Sequence, residues 1–180
     1  MFGESSGIGW SNGGAFAEYA AVRQDRLARK PAGVTFEQAA TVPTSGFIAL
    51  HNLRGQSRLA AGQHVLVNGA GGCVGAIAVQ IAKADGARVT AVDRGEKLAM
   101  IRSLGADEVI DYTHDDVARG AGCYDLVLDV ASTLSLVGCR RVLTPGGVYV
   151  LIGHDHYGTA SGRVLGSLPR QLVRREGVGM

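Results

Sequence analysis

The chain has 180 residues, of which 46% are hydrophobic and 19% charged, and its formal net charge is +2. This composition is typical of a globular domain with a sizeable core and excludes an intrinsically disordered chain. The small net charge favours neither a nucleic acid nor an anionic membrane as partner, and we expect neither. The three cysteines are widely spaced and form no C-x-x-C pair, so we expect no disulfide framework and a cytoplasmic location.

The first third of the chain predicts a loop, a strand and two helices. The glycine- and serine-rich residues 1–14 predict the loop, and residues 15–22 predict the strand. Thr35 and Gln38 have the spacing of a capping box, which predicts the start of the first helix. Pro43 ends this helix and opens a second one, which runs to about residue 53.

From residue 64 onward, predicted strands alternate with predicted helices. We expect strands at residues 64–68, 88–93, 108–110, 125–130 and 148–152, with the start of a further strand at 177–180. We expect helices from residue 75 to about 84 and at residues 97–104, 134–143 and 162–174. The strands are almost continuously apolar, which predicts a parallel sheet covered by helices on both faces. The fold class is therefore α/β, a doubly wound parallel-sheet Rossmann fold.

The most specific motif joins the first of these strands to its helix. Residues 70–75, the glycine turn, read Ala-Gly-Gly-Cys-Val-Gly, with small residues at three positions of a dinucleotide fingerprint. Gly72 lets the backbone approach a pyrophosphate, Gly75 lets the helix pack against the strand, and the helix start offers free N–H groups to phosphates. We expect a dinucleotide to bind at Ala70, Gly71, Gly72, Cys73, Val74 and Gly75.

The next predicted strand ends in an acidic residue, Asp93, which lies 18 residues after Gly75. A carboxylate near this spacing accepts a hydrogen bond from the ribose 2′-hydroxyl of NAD. Arg94 follows directly, and its guanidinium can stack on adenine and hold the 2′-phosphate of NADP while Asp93 turns away. Both cofactors stay open at this point, with NADP favoured.

Four segments occur in a characteristic order and spacing: residues 14–19, 31–40, 70–75 and 104–112. Together they resemble the medium-chain dehydrogenase/reductase superfamily, and most closely its zinc-free, quinone-oxidoreductase-like branch. The resemblance implies an NAD(P)H-dependent enzyme that transfers hydride to a quinone, enone or other carbonyl substrate. It also implies that residues 1–33 are a remnant of a GroES-like β domain. Residues 34–180 would then be a Rossmann domain with its last strand cut short, in a chain truncated at both ends.

The resemblance implies further cofactor-binding residues. Lys97 stands where NADPH-using relatives have a phosphate-binding lysine, and Tyr112 where relatives place a tyrosine near the adenosine. The residues expected to line the nicotinamide half, at the carboxyl ends of strands, are Val130, Ala131 and Gly153. Relatives often have a threonine near the nicotinamide where Ile48 stands. Because Ile48 cannot donate a hydrogen bond, we expect Thr44, with Ser45 beside it, to substitute.

The sequence also bears on whether the protein binds zinc and on which residue is catalytic. Zinc-dependent relatives place a cysteine ligand at the position of Thr44, whose hydroxyl cannot replace a soft thiolate. His154 and His156 form a metal-like pair, but the nearby sequence offers no third ligand, so we expect no zinc. The sequence lacks the Tyr-x-x-x-Lys pair of short-chain dehydrogenases, and we assign no catalytic residue.

Two other hypotheses stay open. The chain could bind a dinucleotide yet be catalytically inert, because its partner domain is incomplete. An S-adenosylmethionine-dependent methyltransferase also uses a glycine turn and a strand-end acid, although the segments at 31–40 and 104–112 disfavour it. Relatives are commonly dimers that pair sheet edges, so a homodimer is expected for the full-length protein. The small-molecule substrate itself stays open.

Overall fold

The structure is a computed structural model that describes residues 1–3, 16–117, 123–152 and 173–174. The chain divides into two compact units, Met1–Ile48 and Ala49–Met180. The predicted domain boundary after residue 33 stays a prediction.

The first unit holds a small sheet and the first helices. Strands β1 (Phe2–Gly3) and β2 (Leu27–Ala28) pair antiparallel, with a short 3₁₀ helix at Gln24–Arg26 before β2. Helix α1 spans Phe36–Thr41, and helix α2 spans Pro43–Leu50. The π-helical segment at His51–Gln56 belongs to the second unit.

Both predicted helix starts are confirmed. The Thr35 hydroxyl accepts a hydrogen bond from the Gln38 N–H at 3.2 Å, and the Gln38 side chain accepts one from the Thr35 N–H at 3.0 Å. This reciprocal pair satisfies two donors that the first turn of α1 would leave open. Pro43 begins α2 because its fixed φ and missing N–H suit a first helical position.

The strand predicted at residues 15–22 is wrong for residues 16–22. These residues form a bend and then a segment without regular secondary structure, and Phe16 and Tyr19 are 92% and 90% exposed. A strand requires a neighbour that takes up its backbone hydrogen bonds. In the described part of the chain, no other strand pairs with this segment.

The second unit contains the main sheet, as the sequence predicts. Its strands are β3 (His64–Asn68), β4 (Arg88–Asp93), β5 (Glu108–Asp111), β6 (Tyr124–Asp129), β7 (Leu143–Leu151) and β8 (Val173–Arg174). The strands lie in the order β5-β4-β3-β6-β7-β8, and all pairs are parallel except the last. The helices are α3 (Cys73–Ala84), α4 (Gly95–Ser103) and α5 (Leu136–Val142). The predicted doubly wound α/β fold is confirmed.

The end of the sheet differs from the prediction in two places. Strand β7 begins at Leu143, directly after α5, rather than at residue 148. Leu143 pairs with Tyr124, and a register shift follows before the regular pairing resumes. The helix predicted at residues 162–174 is wrong at 173–174, where β8 pairs antiparallel with β7 and takes up part of its outer edge. Residues 162–172 and 177–180 lie outside the described residues.

The core fills both faces of the sheet. Along β3, Val65 and Val67 belong to one apolar cluster, whereas Leu66 between them belongs to the other. On β6, Leu128 and Val127 divide between the clusters in the same way. Burial on both faces explains the continuous apolar runs. Three of the buried polar residues, Asn68, Asp93 and Asp129, are the last residues of β3, β4 and β6.

Candidate functional site

The strand order reverses at the centre of the main sheet. From β3 the chain moves outward to β4 and β5 and then returns to β6 on the other side of β3. In open α/β sheets, ligands bind in the crevice at the carboxyl ends of the strands where this reversal occurs. The segments that follow β3, β4 and β6 therefore form the candidate site.

The glycine turn lies at this crevice and is tied to β4. Gly69, just before the turn, has φ of +84°, a conformation that favours glycine. The N–H groups of Gly69 and Ala70 both donate to the Val92 carbonyl oxygen, at 3.0 and 3.1 Å. The Gly72 N–H donates to the Gly69 carbonyl oxygen at 3.3 Å, and α3 begins at the next residue. The turn is thus closed by backbone bonds.

The packing role predicted for Gly75 is confirmed. A Cβ atom at this position would lie 2.2 Å from the carbonyl oxygen of Gly69 and 2.7 Å from the Cα atom of Ala70. Such distances are far shorter than van der Waals contact, so α3 can pack this closely on β3 only with glycine here.

Gly72 leaves open space at the start of α3. Among the described residues, a Cβ atom at this position would meet only the Gly69 carbonyl oxygen within 4 Å, at 3.5 Å. Gly72 is the N-cap of α3 and has no side chain, so no side-chain cap occupies the first-turn N–H groups. A bare helix N-terminus with room beside it fits a diphosphate group. The binding role of residues 70–75 stays a prediction that this geometry supports.

Asp93 is 7% exposed, and its carboxylate contacts the glycine turn directly. One oxygen accepts a hydrogen bond from the Gly71 N–H at 2.7 Å, and the other accepts one from the Arg94 N–H at 2.9 Å. The ammonium nitrogen of Lys97 lies 3.5 Å from the second oxygen. A Cβ atom at Gly71 would lie 2.9 Å from the Asp93 carboxylate and 2.5 Å from Cδ of Lys97. Glycine at position 71 is therefore what allows this close contact.

Arg94 and Tyr112 form an exposed pair beside Asp93. The Arg94 Nε–H donates to the Tyr112 hydroxyl at 2.7 Å, and this hydrogen bond raises the pKa of Arg94. The Tyr112 N–H donates in turn to the Asp93 carbonyl oxygen at 3.3 Å. The structure thus brings together four predicted residues, Asp93, Arg94, Lys97 and Tyr112. They place two cations and a phenol at one side of the glycine turn.

On the other side of β3 lies a buried polar cluster that the sequence analysis missed. Asp129 is 0% exposed and Asn68 is 3% exposed. The Asn68 amide donates to one Asp129 oxygen at 2.7 Å, and the Tyr149 hydroxyl donates to the other at 2.9 Å. Burial raises the pKa of Asp129, and these two hydrogen bonds partly oppose that rise. Burial also raises the pKa of Tyr149 and that of the Cys139 thiol, the latter to about 12.

A signal for this cluster was present in the sequence. Asn68 directly follows the three apolar residues 65–67, and Asp129 directly follows the three apolar residues 126–128. Polar residues at the ends of two apolar parallel strands indicate side chains that meet at one sheet edge.

The remaining predicted residues fall in three places. Val130 and Ala131 follow β6, and their N–H groups donate to the Asn68 carbonyl oxygen at 2.9 and 3.3 Å. Thr44 is exposed on α2, within the first unit. Gly153 lies outside the described residues, as do His154 and His156. The cofactor-binding assignments of all these residues stay predictions.

Neither a metal-ligand cluster nor a membrane-spanning helix occurs among the described residues. Within them, no group of three or more His, Cys, Asp or Glu side chains is placed to hold a metal ion. In the same part of the chain, no helix combines the length and the apolar character needed to cross a bilayer. The expected independence of zinc stays a prediction.

The strand order and the glycine turn define a Rossmann-type α/β domain. Residues 73–176 match the family model described as "Zinc-binding dehydrogenase". The chain therefore belongs to the medium-chain dehydrogenase/reductase superfamily, as the four segments predict.

Individual relatives agree with this placement. The chain is 42% identical over 142 residues to the "NADPH-dependent alkenal/one oxidoreductase, chloroplastic" of Arabidopsis thaliana, covering 77% of this chain and 36% of that protein. It is 34% identical over 161 residues to a quinone oxidoreductase of Pseudomonas aeruginosa, covering 85% and 48%. The quinone oxidoreductase structure of Thermus thermophilus matches with 36% identity and a TM-score of 0.66, covering 75% and 46%. The chain thus spans less than half the length of these relatives.

Proposed function

We propose that this chain forms the cofactor-binding part of a zinc-independent oxidoreductase that prefers NADPH and reduces a quinone, an enone or another carbonyl compound. The observation that carries the proposal is the bare start of α3 at Gly72, with the cations of Arg94 and Lys97 to one side. The names of two relatives, an alkenal/one oxidoreductase and a quinone oxidoreductase, support the substrate class.

The glycine turn would hold the diphosphate. Backbone N–H groups at the start of α3 donate to phosphate oxygens, and the helix dipole favours the negative charge. The absence of a side chain at Gly72 leaves the space for this approach. When bound, NADPH supplies the hydride, while the chain's own contribution is to bind and orient.

The surroundings of Asp93 support NADPH over NADH. Its carboxylate accepts hydrogen bonds from two backbone N–H groups and faces the Lys97 ammonium, so its negative charge is partly offset. Lys97 and Arg94 together attract a 2′-phosphate, and Tyr112 orients Arg94 through its hydroxyl. The two cations thus outweigh the single carboxylate in this corner of the site.

The loop after β6 would receive the nicotinamide half. Val130 and Ala131 lie at the carboxyl end of β6, on the opposite side of β3 from Asp93. Cofactor-binding roles for Gly153 and Thr44 are proposed on the sequence alone. A cytoplasmic location, and a homodimer for the full-length protein, are proposed on the sequence alone.

Calorimetric titration of the purified chain tests this proposal. We expect NADPH to bind, NADH to bind more weakly, and S-adenosylmethionine to give no heat of binding. Adding a quinone to the NADPH complex then separates the hypotheses, because an active chain consumes NADPH and an inert cofactor-binding part does not. Failure to bind either nicotinamide dinucleotide would overturn the proposal, and binding of S-adenosylmethionine would favour the methyltransferase.

A further inference from the structure

The buried carboxylate of Asp129 is hydrogen-bonded to the loop that follows β6, residues 130–134. Besides the Asn68 amide and the Tyr149 hydroxyl, this carboxylate accepts a hydrogen bond from the N–H of Leu134 at 3.3 Å. A buried carboxylate needs several donors to offset the loss of its hydration. One of these donors, the Leu134 N–H, belongs to the loop itself, so satisfying the charge also fixes the loop.

Asn68 links the same loop to β3. Its side-chain amide nitrogen donates one hydrogen bond to Asp129 and a second to the Thr133 hydroxyl oxygen, which lies 2.9 Å away. Both amide hydrogens are thereby used. The main-chain carbonyl oxygen of Asn68 accepts hydrogen bonds from the N–H groups of Val130 and Ala131. One residue at the end of β3 therefore contacts three positions of the loop.

The loop has a conformation that needs such support. Ser132 has φ of +55°, in the left-handed region that residues with a side chain adopt at a cost. Its hydroxyl oxygen is buried and has no hydrogen-bond partner among the described residues. A strained backbone and an unpaired hydroxyl persist only where surrounding contacts impose them. The cluster of Asp129, Asn68 and Tyr149 provides those contacts.

The position of the loop matters because it touches the start of the glycine turn. A Cβ atom at Gly69 would lie 3.0 Å from both the Cβ atom and the nitrogen of Ala131. The loop thus lies directly against the residue from which the turn begins. Any movement of the loop would change the width of the crevice between the two segments.

We propose that Asp129 is a positioning residue for the cofactor, which with Asn68 and Tyr149 holds residues 130–134 in the shape that receives the nicotinamide half. This inference rests on the proposed function. The cluster lies on the β6 side of β3, whereas Asp93, Lys97 and Tyr112 lie on the β4 side. A change in the cluster should therefore weaken binding of the nicotinamide half and leave binding of the adenosine half unchanged.

The test compares a whole cofactor with its adenosine half. The variant Asp129→Asn keeps the shape of the side chain but replaces one accepting oxygen with an amide NH₂ group, which cannot accept. Binding of NADPH and of 2′,5′-ADP is measured by calorimetry for this variant and for wild type. We expect NADPH to bind about tenfold more weakly, with 2′,5′-ADP affinity within about twofold of wild type.

The milder variant Tyr149→Phe provides a second test if Asp129→Asn folds poorly. It removes one donor to Asp129 and retains the buried ring, and we expect the same selective loss at about threefold. Equal losses for NADPH and 2′,5′-ADP, or no loss for either, would overturn the positioning role. If wild type fails to bind NADPH, the proposed function itself fails and the inference falls with it. A selective loss upholds both.

Discussion

The Asp93 carboxylate accepts a hydrogen bond from the Gly71 N–H at 2.7 Å. The acid at the end of β4 is therefore bonded to the glycine turn, and its second oxygen lies between the Arg94 N–H and the Lys97 ammonium. A carboxylate in free solution would repel a 2′-phosphate. Here that repulsion is reduced by its donors, so the neighbouring cations determine which cofactor is preferred.

Replacing Lys97 by glutamine should remove much of the preference for NADPH. The ammonium of Lys97 is half-exposed beside Asp93, and a charge-assisted contact to a phosphate is among the stronger hydrogen bonds. We expect the Kd for NADPH to rise about tenfold, while that for NADH stays within about twofold. Calorimetric titration with both cofactors measures the change.

Arg102→Gln is the matched control, because it removes one positive charge from the last turn of the same helix. It should leave both affinities unchanged. Equal weakening of NADPH and NADH binding in Lys97→Gln would contradict a contact with the 2′-phosphate and would indicate a general electrostatic effect.

Two glycines only three residues apart should respond differently to alanine. In Gly75→Ala the new Cβ atom would lie 2.2 Å from the Gly69 carbonyl oxygen, so α3 must move away from β3. Overpacking of this kind costs about 1–3 kcal/mol, and we expect Tm to fall by roughly 5 °C. In Gly72→Ala the new atom meets one neighbour in the described part of the chain, at an ordinary 3.5 Å, so Tm should change little.

The same Gly72→Ala variant should bind NADPH at least about tenfold more weakly, because its methyl group takes space that the diphosphate would occupy. Thermal unfolding and calorimetry together check the pair. Undiminished NADPH binding by folded Gly72→Ala would mean that the diphosphate lies elsewhere.

Asp107 should make stability depend on pH in the acid range. Its carboxylate accepts from the Lys83 ammonium at 2.8 Å and from the Val89 N–H at 2.7 Å, and these bonds lower the pKa of Asp107, with Lys83 the larger cause. A lowered pKa in the folded state gives a stabilisation that is present above the unfolded value, about 4, and is lost as the pH falls through the folded value.

We therefore expect Asp107→Asn to lower the free energy of unfolding by about 1 kcal/mol at pH 7, and by progressively less below about pH 4. The side chain is 39% exposed, so solvent screening keeps the effect small. Urea unfolding at several pH values measures it, and 1 M salt should remove the Lys83 share while sparing the Val89 bond. A difference that grows toward low pH would contradict this assignment.

Local patterns were sufficient for much of the fold and part of the site. The capping box at Thr35 and the strand, turn and helix around residues 64–84 involve neighbours in sequence, and the structure has them as predicted. Asp93 and Lys97 are four residues apart across the junction of β4 and α4, so their proximity also follows from the local sequence.

Features that depend on contacts between residues far apart in the sequence could not be predicted from local patterns. Asn68 and Asp129 are separated by 61 positions, and only the parallel pairing of β3 with β6 brings them together. The strand predicted near Tyr19 has suitable residues but no partner in the described part of the chain. The early start of β7 at Leu143 depends on its pairing with Tyr124, which lies 19 positions earlier in the chain.

The most direct test of the account maps where NADPH meets the backbone. Amide chemical shifts of the ¹⁵N-labelled chain are followed by NMR during titration with NADPH. We predict the largest changes at Gly71, Gly72, Cys73 and Val74, whose N–H groups surround the start of α3. If NADPH binds and these four amides stay unchanged while residues elsewhere shift, the central claim that the glycine turn holds the diphosphate is contradicted.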